Sequence, residues 1–501
     1  MSRTAAIAVA IVLLTVLLSP IQRELYVGDE TKYSQVVREM RAGSFFLPTL
    51  EGSPFTHKPP LHFWMVDLMT YVFGVYSLWP YVLPSLIAFA LLLYFMNRIG
   101  GPVAAFVTGT SLMLWGSAQT ARMDVAFAGL IALGAWCIYK QRYVAAGFAA
   151  GLAFLVKGPM APVIILALYV FESIRLKRKP RGRDALMLLP MLLMPLLWLV
   201  PAVMIGGEAF WREIFYKQTV GRAVGAWVHK SPPWFYLVRA PFTFMPWFFI
   251  AVAAVIAAYK RNDDRAKFAV SYLLAVLVPY TLMSSKLDVY MIALLPAVGL
   301  LVARLADAED RWSTLARRLN LVMLALFAII GIAGLVVQPS QIKGEDAMFV
   351  ARTDVRALFA ILLLSSIIAI IVSLRGRLTS AIVATGFVAV AALSYAAIVL
   401  VPLANELAST RPLVRTLEDF RDVPPQQIAL HVAPHLWIRG MNPALWSAQH
   451  VDAESLRALP ERPRLIVTRR KDAEKIADSL RGYRKVAELR MIGKWFDVYE
   501  R

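Results

Sequence analysis

Apolar runs of about 18 to 25 residues recur along most of this chain, with Lys and Arg concentrated in short loops between them. A run of that length crosses the hydrocarbon core of a bilayer as one helix. These runs lack the polar face of a soluble amphipathic helix. After a first run at 4–20, spans are expected near 79–97, 101–116, 122–139, 142–156, 159–175, 185–205, 236–258, 267–284, 288–305, 318–337, 355–374 and 378–402. That makes an all-α polytopic membrane protein of about thirteen transmembrane helices. Composition agrees: 59% of residues are hydrophobic and only 17% charged, against about 25% charged in soluble proteins.

The basic loops test this map. With a cytoplasmic N-terminus, the short loops expected inside carry Arg98; Lys140 and Arg142; Arg175 to Arg183; Lys260 to Lys267; Arg304 to Arg318; and Arg375 and Arg377. Every one is basic, as membrane orientation requires. The longer loops at 21–78, 206–235 and 338–354 then fall outside, and an odd number of spans leaves the C-terminus outside too. The formal charge of +20 is thereby a property of orientation. Nucleic acid is not an expected partner, since no basic-aromatic platform or binding motif is present. The first run follows Arg3 but ends in Leu17-Leu18-Ser19-Pro20, a poor cleavage site, so it reads as a retained helix. The one cysteine, Cys137, allows no disulfide within the chain.

Two regions result. Residues 1–402 form the membrane domain, with 21–78 as an interfacial loop in which Thr31–Arg41 and Leu61–Phe73 have helical character. Residues 403–501 form a small extracytoplasmic α/β domain. Within it 428–432, 464–468 and 496–499 read as strands, and Lys471–Leu480 as an amphipathic helix.

Polar residues gather on one side of the map. The first outer loop holds Gly28-Asp29-Glu30-Thr31-Lys32-Tyr33 and His57-Lys58-Pro59-Pro60. Carboxylates at a bilayer interface are solvated, paired or functional. Asp29 suits a helix N-terminus and general base chemistry alike. Asp124, after Arg122-Met123, opens a span on the same side, where an N-cap or a pair with Arg122 also accounts for it. Lys58 is a cation on a stiff proline-flanked segment; it fits either a phosphate contact or a snorkelling lysine. Lys157, before Gly158-Pro159, fits snorkelling too. The outer loop with Lys217, Arg222 and His229 mixes bases with aromatics. Ser285-Lys286-Leu287-Asp288-Val289-Tyr290 interrupts two spans, with Lys286 and Asp288 as a candidate pair. Acids, bases and aromatics from separate segments converging on one face point to a site.

As a set, Asp29 to Tyr33, Lys58-Pro59-Pro60-Leu61 with Trp64, Asp124 after Arg122-Met123, Leu155-Val156-Lys157-Gly158-Pro159, Phe215 to Arg222, Pro232 to Tyr236 with Pro246-Trp247, and Ser285 to Tyr290 resemble the bacterial lipid A aminoarabinose transferases. Their relatives, the protein O-mannosyltransferases, share the pattern; both are polytopic glycosyltransferases of the GT-C fold. The resemblance implies a bacterial inner-membrane enzyme. It would move a sugar from a polyprenyl-phosphate carrier, such as undecaprenyl phosphate, to lipid A, another glycan or a protein on the outer face. It assigns Asp29 as catalytic carboxylate, with Glu30 beside it and Asp124 as a second acid. It assigns Lys58, Arg222 and Tyr290 to the carrier phosphate, and leaves Lys32, Tyr33, His57, Lys157 and Lys286 as further cavity residues. No metal site is carried over, although a divalent metal stays open as a cofactor: the family often has Glu where His57 stands, and Lys217 is a poor ligand. A transporter or flippase of a lipid-linked sugar is the alternative, and would show internal repeats with broken helices at mid-membrane. A mere anchor for the C-terminal domain would need neither so many spans nor clustered acids.

Overall fold

The computed structural model describes residues 3–26, 28–216, 231–337, 352–432 and 447–501. The chain forms two compact units. Met1–Ser19, Thr56–His62 and Pro84–Ile398 make up the first; Pro20–Phe55, Phe63–Leu83 and Val399–Arg501 make up the second.

The first unit is helical. Among the described residues, seven helices of the chain are long and apolar enough to cross a membrane, or eight if one sharply bent pair counts as a span. That is fewer than thirteen because several apolar segments are short or broken. Asp124–Tyr139, Tyr143–Lys157 and Met160–Arg175 have 16, 15 and 16 residues. The expected span 101–116 is two pieces. The helix Trp79–Gly109 kinks at Gly101, with φ 79°, and a separate helix covers Leu112–Ala118. Between them the hydroxyls of Thr110 and Ser111 donate back to the carbonyls of Phe106 and Val107, at 2.7 and 2.9 Å, a local bond that competes with helix continuation. The expected span 236–258 is likewise two helices, Phe235–Thr243 and Phe248–Lys260, bent by 113°. Pro246 lies in that break and has no N–H to carry a helix through.

Packing follows side-chain size. Tyr143–Lys157 presents Gly147 and Gly151 to the helix Leu188–Arg212 and the turn before it. A Cβ at Gly147 would sit 2.0 Å from the Met187 carbonyl oxygen, and one at Gly151 would sit 2.7 Å from that of Pro190. Two small residues one turn apart let backbones touch where lipid supplies no hydrophobic drive. The stretch Asp288–Ala306 sits innermost: 72% of its apolar window is buried, against 17% for Thr353–Arg375. Tyr290 therefore belongs to the unit's best-packed span.

The second unit joins the long loop to the C-terminal residues. Helix Asp29–Ala42 is followed by a hairpin pairing Thr49–Leu50 with Ser53–Pro54. The Asn405 side chain accepts from the Glu24 amide at 3.0 Å and donates to the Gln22 carbonyl at 2.8 Å. Ser409 donates to the Glu24 carboxylate at 2.8 Å. The C-terminal sheet has the order Gln449–His450, Ile428–His431, Leu465–Arg469, Lys494–Glu500, Arg484–Met491; the first three strands run parallel and the last two antiparallel to their neighbours. Alternation sorts its faces: Ile428, Leu430, Leu465 and Val467 pack with Phe496 and Leu413, while Ala429 and Ile466 pack with Val451 and Ile476. Two expectations change. The stretch expected as an amphipathic helix from Lys471 is a 3₁₀ helix, Arg470–Ile476. The strand Arg484–Met491 was hidden by its charges, which lie along an edge.

Glu39 holds the hairpin. It accepts from Gln35 Nε2 at 3.0 Å, Thr49 Oγ1 at 2.9 Å and the amides of Glu51 and Gly52 at 2.7 and 3.0 Å. Burial alone would raise its carboxyl, but these bonds outweigh burial and hold it below the usual carboxylate range. A depressed carboxyl stabilises above its unfolded value, about pH 4.3, and that stability is lost as pH falls through the folded value. Hydrogen exchange of residues 49–54 is expected to speed up as pH drops below about 4, after correction for intrinsic rates. In Glu39→Gln it is expected to be fast at every pH.

Candidate active site

Chain reversal creates the site. Asp124 is the first residue of its helix and Lys157 the last of the next, so the antiparallel hairpin sets them at one end. They form an ion pair in which each side chain is 8% exposed. Gly158, at φ 101° in the left-handed region, turns the chain directly after Lys157. The ammonium also lies 4.5 Å from the Tyr290 ring centroid and 5.2 Å from that of Phe127. Tyr290 stacks on Tyr280 with centroids 4.9 Å apart.

Beside this cluster is a cavity of about 270 Å³. His57, Lys58, Lys157, Ser285 and Tyr290 give it polar points, and Phe154, Trp198 and Met283 line its apolar wall. Lys58 stands between buried Pro59 and Pro60 and exposed His57. Two lysines and a tyrosine against an apolar wall match a ligand with an anionic head and a hydrocarbon body. Sequence reading singled out Lys58, Lys157, His57 and Tyr290, all of which line the cavity. It missed Trp198 and Tyr280, which lie inside apolar spans and carry no local mark.

Other candidates have different surroundings. Lys286 is buried; its ammonium donates to the carbonyls of Met283 and, at 3.2 Å, of Ser231. Burial pushes that ammonium below its ordinary value. Asp288 pairs with Arg239 at 3.2 Å, not with Lys286, and Asp124 pairs with Lys157 instead of Arg122. Arg222, with Lys217 and His229, lies outside the described residues.

In the second unit the two adjacent acids part. Glu30 is buried and clamped by Arg23, with 2.6 and 2.7 Å contacts, and accepts the Tyr26 amide at 2.8 Å. Its oxygens are committed to holding residues 23–30 together. Asp29, one residue earlier, keeps 39% of its side chain exposed and meets Lys32 at 2.6 Å. Lys32 Nζ in turn lies 5.3 Å from the Tyr33 ring centroid. Tyr33 is buried edge-on against Phe63 at 5.4 Å, a core contact.

The chain is similar to several known proteins in sequence and in fold. The dolichyl-phosphate-mannose-protein mannosyltransferase family matches residues 57–205. The chain is 25% identical over 378 residues to an undecaprenyl phosphate-alpha-4-amino-4-deoxy-L-arabinose arabinosyl transferase of Serratia proteamaculans, covering 69% of this chain and 67% of that one. The corresponding protein of Yersinia enterocolitica is 25% identical over 336 residues, covering 62% and 60%. The crystal structure of ArnT from Cupriavidus metallidurans bound to undecaprenyl phosphate superposes with a TM-score of 0.77 over 99% of this chain and 97% of that one, at 19% identity. Its apo form gives 0.74 at 20% identity. The chain is thus similar in sequence to undecaprenyl phosphate-aminoarabinose arabinosyl transferases, carries a mannosyltransferase-family match over residues 57–205, and shares the fold of ArnT.

The sequence resemblance left a divalent metal open near His57. The described side chains here do not fit one. His57 shares its cavity with the cations Lys58 and Lys157, and no three of His, Cys, Asp or Glu gather into a metal site among the described residues. No step is assigned to a metal.

Removing one partner of a buried pair leaves the other charge uncompensated, at a cost of about 3–5 kcal/mol. Lys157→Met is expected to lower the melting temperature of the detergent-solubilised protein markedly. The double variant Asp124→Asn/Lys157→Met is expected to recover most of that loss. Equal melting temperatures for the wild type and Lys157→Met would show that the pair holds nothing together.

Proposed function

We propose that this membrane glycosyltransferase takes its sugar from a polyprenyl-phosphate carrier and passes it to lipid A, another glycan or a protein. The observation that carries this reading is the cavity in which Lys58, Lys157 and Tyr290 face an apolar wall. A lipid-linked sugar phosphate needs both halves. The relatives named above are transferases of a sugar on undecaprenyl phosphate, which supports the same donor here. Nothing in those comparisons favours the transporter alternative.

The donor phosphate docks against Lys58 and Tyr290, with Arg222 as a third contact. Lys157 stays in place because Asp124 pairs with it. Asp29 is the base: it accepts the proton of an acceptor hydroxyl or phosphate as that oxygen attacks the anomeric carbon. The bond to the carrier phosphate breaks, and the leaving phosphate keeps the electron pair. Fixed cations stabilise that charge more as it develops than they stabilise the ground state. A single displacement inverts the anomeric configuration. Exposure supports Asp29 for this role, and the Arg23 clamp argues against Glu30. In this reading residues 1–402 are the catalytic membrane domain. The segment 403–501 lies outside the bacterial inner membrane, and the N-terminus lies on the cytoplasmic side.

Removing the base is expected to lower transfer by about 10² to 10⁴. Mass spectrometry of lipids and glycans from cells carrying Asp29→Asn should then lack one sugar mass that the wild-type gene supplies. Immunoblotting of membranes should find the variant inserted at the normal level. A full sugar signal from Asp29→Asn would reject the assignment.

A further inference from the structure

The helices that build the candidate active site carry a second cavity at their other ends. Asp124–Tyr139 begins with Asp124 and runs out at Lys140. Asp264–Leu282 begins beside Arg265 and ends near Tyr280. The stretch Asp288–Ala306 has Tyr290 at its start and Arg304 near its close. Arg98, Lys140, Arg265 and Arg304 line one cavity of about 400 Å³ there, with Trp136, Phe268 and Leu300 among its apolar walls.

Charge accounting leaves this cavity strongly positive. Arg304 is satisfied by Asp263 at 2.9 Å and by Asp307, the one acid in the lining, at 2.5 Å. The neighbour Asp264 is taken by Arg175 at 3.0 Å. Among the described residues no carboxylate pairs with Arg98, Lys140 or Arg265. Lys140 lies over the Trp136 ring at 4.7 Å, which fixes its direction without neutralising it.

Orientation in the membrane accounts for basic loops, but it does not require them to converge on one concavity. Helix dipoles account for Lys140 and Arg304 at C-terminal ends. They oppose Arg265, which sits in the first turn of its helix at the positive end. Three uncompensated cations, one of them placed against the dipole, favour an anion with several acceptor oxygens. Guanidinium groups suit phosphate oxygens, and Phe268 and Leu300 suit the first methylenes behind a headgroup.

We infer that this cavity binds the phosphate of an anionic phospholipid, on the membrane face opposite the transfer site. Arg98, Arg265 and Lys140 contact its oxygens. Bound lipid ties together the ends of the same helices that position Asp124 and Tyr290.

The test uses the full chain in detergent, melted with and without phosphatidylglycerol, phosphatidylcholine or inorganic phosphate. Phosphatidylglycerol is expected to raise the wild-type melting temperature, and the other two are expected to leave it unchanged. The variant Arg98→Gln/Lys140→Gln/Arg265→Gln should fold but lose the shift. Lys177→Gln/Lys179→Gln/Arg183→Gln, which removes the same charge from another loop, should keep it. The inference is overturned if phosphatidylglycerol gives no shift, if the first triple variant keeps it, or if both triple variants lose it equally. An equal shift with inorganic phosphate overturns the lipid assignment in favour of a soluble anion.

Discussion

A lysine and an aspartate, each almost wholly removed from solvent, face one another where two short apolar helices reverse. Either charge alone would be costly in that setting, and the pair is tolerated because the two sit together. Their geometry propagates. Lys157 must end its helix there, so Gly158 has to turn in the left-handed region. Its ammonium then meets Tyr290 at the start of the innermost span. A cation held this way keeps its position without a ligand, and the cavity wall is set before a substrate arrives. Preorganised charge is what stabilises a leaving phosphate without reorganisation during the reaction.

Much of this was legible in the chain itself. Apolar run length located the helices, because the thickness of a bilayer sets that length. The basic interruptions ordered them into two faces. Lys58, His57, Lys157 and Tyr290 could be singled out because polar residues are rare enough here to stand out at segment ends. Pairing was not legible. Asp29 and Glu30 are adjacent and chemically alike, and the Arg23 clamp, seven residues away from Glu30, separates a buried acid from a partly exposed one. Nothing local said that Asp124 would choose Lys157, 33 residues on, over Arg122. Breaks within apolar runs were equally hidden. The hydropathy of 236–258 is continuous, yet the backbone bends by 113°. Trp198 and Tyr280 look like any aromatic in a span, and only the fold turns them toward a cavity.

The helical unit is polarised along its length. One end of its central helices carries a buried, internally balanced charge cluster beside an apolar cavity. The other end carries cations that the protein does not balance itself. The first arrangement suits a ligand whose charge changes during reaction. The second suits one that stays. Both rest on the same helices.

The cavity lined by Lys58, Lys157 and Tyr290 is proposed to receive the carrier phosphate, with Asp29 acting only on the acceptor. Equilibrium titration of the purified full-length protein with polyprenyl phosphate tests it directly. Lys58→Gln is expected to weaken binding by about tenfold, equivalent to about 1.4 kcal/mol, and Asp29→Asn is expected to bind as the wild type does. Unchanged affinity in Lys58→Gln, or a loss of affinity confined to Asp29→Asn, would contradict it.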